Sequence, residues 1–87
     1  MWTYLVERYL PGRDRVWLED ALARLPVDDV DASYLGSLYV PADESWFCRF
    51  SAPAAENVRR VNDLAGVPFA RVVAVIELAV VDEKRLR

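Results

Sequence analysis

Ser33-Tyr34-Leu35-Gly36-Ser37-Leu38-Tyr39-Val40-Pro41-Ala42-Asp43-Glu44-Ser45-Trp46-Phe47-Cys48-Arg49-Phe50-Ser51 decides the fold. Its two runs of aromatic and branched residues, 33–40 and 45–51, have strand composition. Pro41-Ala42-Asp43-Glu44 between them is turn chemistry, and so short a connection joins antiparallel neighbours. The middle of the chain is therefore a hairpin. Upstream, Asp14 can cap a helix whose apolar residues Trp17, Leu18, Ala21, Leu22 and Leu25 fall at helical spacing, with Pro26 ending it. Downstream, Pro53 suits the first position of a second helix, Ala54, Val58, Val61 and Ala65 repeat on one face, and Gly66 and Pro68 stop it. Trp2 to Leu10, closed by Pro11-Gly12, reads as a first strand, and the β-branched run Arg71 to Val81 as a last one. Residues 27–32 are an acidic loop and residues 82–87 a charged tail. The order β-α-β-β-α-β over one domain, 1–87, predicts an α+β, ferredoxin-like split βαβ fold: a four-stranded antiparallel sheet with both helices on one face.

At 87 residues the chain has one cysteine, so no intrachain disulfide can stabilise it, and 54% of its residues are hydrophobic. A domain this small exposes much of its surface, so that composition predicts a homodimer in which a second copy covers apolar area. The formal net charge of −3 lacks the positive excess on which nucleic-acid binding draws. No apolar run approaches the ~20 residues that span a bilayer, and Met1-Trp2-Thr3-Tyr4 does not open a signal peptide. Neither nucleic acid nor membrane is an expected partner, and a cytoplasmic location is expected.

Alternation along the strands indicates which side chains face away from the helices. In the last strand Val72, Ala74, Ile76, Leu78 and Val80 form the helix-side set, leaving Arg71, Val73, Val75 and Glu77 on the uncovered side. The first strand puts Tyr4 and Val6 on the helix side and Leu5, Glu7 and Tyr9 opposite. The hairpin puts Leu38, Val40, Trp46, Cys48 and Phe50 on the helix side and Ser37, Tyr39, Phe47 and Arg49 opposite. Glu7, Tyr9, Tyr39, Arg49, Arg71 and Glu77 would then stand over an apolar floor of Leu5, Phe47, Val73 and Val75, a composition that suits a small organic ligand, anionic or aromatic. The plainer alternative is that the two acids and two arginines pair with each other and set the register of an interface.

Other chemistry finds little footing. The chain has no histidine, which removes histidine-based catalytic triads and the commonest metal ligand. Cys48 sits in an apolar aromatic strand as a packed core thiol, and Asp28, Asp29 and Asp31 lack the pattern of a calcium loop. Gly12, Gly36 and Gly66 are scattered and form no phosphate loop or dinucleotide fingerprint, so no cofactor is expected. Glu7 or Glu77 in a desolvated pocket could serve as a general base, which keeps a cofactor-free enzyme as an alternative.

The string Leu5-Val6-Glu7-Arg8-Tyr9-Leu10-Pro11-Gly12 resembles the opening of a family of small bacterial proteins, mostly of unknown function, some described as nickel-binding ferredoxin-like proteins. Val40-Pro41-Ala42-Asp43-Glu44, Phe47-Cys48-Arg49-Phe50, Ala52-Pro53 and the stretch Asn62 to Val73 continue the resemblance, which is weakest from Asp14 to Ser33. It implies a ferredoxin-like domain that forms dimers of α/β-barrel character; the alternative to a binding module is a cofactor-free isomerase, cyclase or monooxygenase of the dimeric α/β-barrel type. Nickel in an N/O site ordinarily relies on imidazole, which this chain lacks, so no metal ligand is carried over. Glu7, Tyr9, Arg49 and Arg71 both match the family pattern and lie on the expected uncovered face.

Overall fold

A computed structural model of the chain describes residues 1–25 and 29–78. The elements are β1 (Trp2–Tyr9), α1 (Arg15–Arg24), β2 (Ser33–Val40), a 3-10 turn (Pro41–Asp43), β3 (Ser45–Ala52), α2 (Ala55–Ala65) and β4 (Arg71–Val75). The strands form one antiparallel, open sheet in the order β2-β3-β1-β4. This is the ferredoxin-like arrangement that the element order predicts. The hairpin partner β3 lies between β2 and β1, so both crossovers carry a helix to the same side. No helix among the described residues is long and apolar enough to cross a membrane.

Local chemistry accounts for the element ends. Asp14 caps α1, its carboxylate accepting from the Trp17 amide at 2.8 Å. Gly66 closes α2 at φ +70°, a left-handed conformation with little penalty for glycine, and its amide reaches the Asp63 carbonyl at 3.1 Å. Pro53 is not the first helical residue as the sequence predicts. Ala54 is the N-cap and Pro53 precedes it, supplying an extended approach rather than a first turn. In the hairpin turn Glu44 takes φ +51° and ties the neighbouring loop, its backbone carbonyl accepting from Leu10 N at 2.9 Å and its carboxylate from Gly12 N at 2.7 Å.

One core lies between the sheet and the helices. Tyr4 and Val6 of β1, Trp46, Cys48 and Phe50 of β3, and Val72 of β4 meet Leu18, Ala21 and Leu25 around α1 and Val58 and Val61 of α2. Both helices therefore cover the same face. Trp17 is half-buried at the edge of this core, with the Arg13 guanidinium 4.6 Å from its ring centroid.

Two expectations fail, each for a reason of pairing. β4 ends at Val75, where its ladder with β1 stops opposite Thr3. Beyond it Ile76 and Leu78 are 87% and 86% exposed rather than packed under the helices, Ala74 is also exposed, and Val80 lies outside the described residues. In β2 the register shifts between Tyr34 and Gly36, a β-bulge in which Leu35 is the extra residue. The residues after it change face. Leu38 and Val40 pair with Phe47 and Ser45 on the uncovered side, whereas Ser37 and Tyr39 pair with Cys48 and Trp46 on the helix side.

Candidate functional site

The uncovered face is built by the ladder. Leu5 lies opposite both Arg49 and Val73, Glu7 opposite both Phe47 and Arg71, and Thr3 opposite Ser51 and Val75, so these side chains share one surface. The bulge adds Leu38 and Val40 to it. The face is thus more apolar than the sequence predicts, and Leu38 is 75% exposed on it. Between β2 and β1 this surface forms a groove of about 420 Å³ lined by Leu5, Gly36, Ser37, Leu38, Phe47 and Arg49.

The charged groups stand as two ion pairs. Arg71 Nε donates to Glu7 Oε2 at 2.5 Å, and because the two residues face each other across β4 and β1 the sheet register holds this pair in place. Arg49 Nη1 donates to Glu77 Oε1 at 2.6 Å, while its Nη2 donates to the Leu35 carbonyl at 3.3 Å. Leu35 is the bulged residue, and its carbonyl anchors the guanidinium at the groove. Glu77, by contrast, belongs to no strand.

Of the six residues expected to form the site, the structure thus joins Glu7 with Arg71 and Arg49 with Glu77. Tyr9 is on the uncovered face at the far end of β1, opposite Ser45 and exposed, without lining the groove. Tyr39 is a correction, since the bulge turns it to the helix side. There it borders a second groove of about 420 Å³ with Arg15, Leu18, Glu19, Leu22 and Pro41.

Arg8 lies outside the site expected from the sequence, and it is the most deeply buried charged residue among those described. It is 1% exposed on the helix side of β1, in phase with Tyr4 and Val6. Its Nη1 donates to the carbonyls of Val67 at 3.1 Å and Pro68 at 3.0 Å, and its Nη2 donates to Asn62 Oδ1. The guanidinium carbon lies 5.0 Å from the Trp46 ring centroid. Asn62, itself fully buried, donates to the Val58 carbonyl at 2.7 Å. No carboxylate bonds to Arg8 among the described residues; its charge rests on carbonyl dipoles near the C-terminus of α2 and on the indole face.

Two groups on this side have displaced acidities. Burial pushes the Cys48 thiol above its ordinary 9.0, outweighing the opposite pull of the Arg8 guanidinium and the Ser37 hydroxyl. Burial likewise raises the Tyr34 phenol above 10.0, opposed by its hydrogen bond with Ser37. The fold thus holds two protons that the unfolded chain releases at lower pH. Their contribution to stability is fully present below the unfolded value of 9.0 and is lost as pH rises toward the folded values. The urea midpoint is expected to fall from about pH 9 upward, and Cys48→Ala should remove the earlier part of that fall. A midpoint that stays constant into the tyrosine range would contradict this assignment.

A family model described as "Nickel responsive protein SCO4226-like" matches residues 4–75. The chain belongs to this family. Among solved structures, the crystal structure of SCO4226 from Streptomyces coelicolor A3(2) is similar at a TM-score of 0.76 and 21% identity, covering 88% of this chain and 99% of that one. At that identity the likeness speaks to the fold alone. No curated protein matches.

The family's description raises the question of a metal site. The chain has no histidine, and among the described residues no three cysteine, aspartate or glutamate side chains stand close enough to hold a metal ion. Cys48 is buried beside a guanidinium, an environment that repels a cation.

Proposed function

We propose that this member of the SCO4226-like family is a small-ligand-binding module that works as a homodimer, with the ligand held on the uncovered sheet face. The observation that carries the reading is the groove between β2 and β1, where Leu5, Leu38 and Phe47 form apolar walls and Arg49 supplies one fixed cation. Leu38 and Val40, turned outward by the bulge, extend the apolar floor to the sheet edge and favour coverage by a second copy. Two faces packed together would enclose the grooves and exclude water from Arg49, strengthening its attraction for an anion.

Geometry gives less support to a cofactor-free isomerase, cyclase or monooxygenase. Glu7 gives one oxygen to Arg71 and does not line the groove, and Glu77 gives one oxygen to Arg49, so each acid is held in an ion pair rather than standing alone at the groove. The nickel of the family description is not assigned to a donor set within one chain. Native mass spectrometry of the purified protein tests the proposal. A dimer carrying a small-molecule adduct, with the adduct lost on Leu38→Asp, is the expected result; a monomer without adduct would refute it.

A further inference from the structure

Resting on the open-face reading, we infer that the groove takes a monocarboxylate with an apolar body, and that the Glu77 carboxylate occupies the anion position until such a ligand displaces it. The walls contributed by Leu5, Leu38 and Phe47 accept an aromatic ring or short alkyl chain. Among the described residues Arg49 is the one cation lining the groove, and its guanidinium is already positioned by Nη2 on the Leu35 carbonyl. Its Nη1 holds a carboxylate, at 2.6 Å, that is supplied by the protein's own chain.

The two ion pairs of the face differ in how firmly they are set. Glu7 and Arg71 are direct ladder neighbours, and the Glu7 side chain is 24% exposed. Arg49 is on β3 and Glu77 follows β4, so their bridge arches over β1, a span of about 10 Å between the outer strand axes. Glu77 is 51% exposed and flanked by the almost fully exposed Ile76 and Leu78, which have no packing to hold the segment down. Breaking an ion pair this exposed carries little cost. A carboxylate with an apolar body would restore the bond to Arg49 and also bury surface against Leu5, Leu38 and Phe47, which the Glu77 side chain does not offer. The Glu77 contact is therefore a built-in competitor, which sets a threshold on ligand affinity and keeps Arg49 paired when the groove is empty.

Titration of the full chain with benzoate and, separately, with neutral benzamide, read by amide NMR shifts of Leu5, Gly36, Leu38 and Arg49, tests the inference. Benzoate is expected to bind in the groove, roughly two- to fivefold more tightly in Glu77→Gln, in line with the strength of an exposed ion pair, and at least tenfold more weakly in Arg49→Gln. Benzamide should be indifferent to Glu77. Glu56→Gln, on the first turn of α2, removes the same charge elsewhere. If it tightened benzoate binding as much as Glu77→Gln, or if Glu77→Gln had no effect, the competitor role would be overturned while the open-face site survived. If neither probe shifted these amides in any variant with a well-dispersed spectrum, the open-face reading would itself fall.

Discussion

Replacing Arg8 with alanine is expected to cost about 3–4 kcal/mol of folding stability, measured as a lower urea midpoint at unchanged slope. The side chain satisfies three acceptors at once, the carbonyls of Val67 and Pro68 and the amide oxygen of Asn62. Truncation strands them where water enters with difficulty, and it also removes an aliphatic stem packed in the core. For a domain of this size that corresponds to roughly 15–25 °C in melting temperature. Arg8→Met separates the two contributions, because it keeps most of the volume and makes none of the bonds. It should recover less than half of the loss. Arg8→Lys retains a charge but cannot present the planar fork, so it should fall between the two. A loss under about 1 kcal/mol for the alanine variant would mean that the chain between α2 and β4 stands without this clasp.

The clasp shows where legibility in the sequence ends. Asp14, Gly66 and the 41–44 turn announce themselves locally, and α1, β2 and β3 follow the composition closely. What was missed depends on partners distant in the chain. Arg8 bonds to residues 54 to 60 positions away, and only its place in the alternation Tyr4, Val6, Arg8 signalled a buried position. The end of β4 follows its ladder with β1, which stops at Thr3 and Val75, not the apolar run that continues past it in the sequence.

The candidate site was legible in the same uneven way. Glu7, Arg71, Arg49 and the apolar floor fell into place because β1, β3 and β4 keep strict alternation through their paired residues. Tyr39 did not, because one extra residue at Leu35 reverses every side chain after it. The local sign of that reversal is Gly36, at φ +131°, a backbone conformation that side-chain-bearing residues rarely adopt. A glycine inside a strand reads as a bulge only as one possibility among several, so the face of Leu38 and Tyr39 became definite with the ladder itself.

Trp46→Ala should destabilise the protein by about 3–5 kcal/mol, the range for emptying a fully buried aromatic site. Trp46 is 2% exposed and is the largest fully enclosed side chain. Its distinctive feature is the Arg8 guanidinium 5.0 Å from the ring. If the indole helps to hold that unpaired cation, the two residues must couple. The double variant Arg8→Met with Trp46→Ala should then be less destabilised than the sum of the singles, by about 1–2 kcal/mol in a urea double-mutant cycle. Strict additivity would leave Trp46 as filling and assign the cation wholly to the carbonyls. The coupling matters beyond stability because of what the clasp holds. Arg8 fixes Val67 and Pro68, and two residues later the Ala70 amide donates to the Glu7 carbonyl at 2.7 Å, the bond that starts β4 and sets Arg71 opposite Glu7. The buried side of β1 thus places the ion pair on its uncovered side. Weakening the clasp without unfolding the chain, as in Arg8→Lys, should shift the Arg71 Nε resonance while leaving that of Arg49, anchored on the bulge, unchanged.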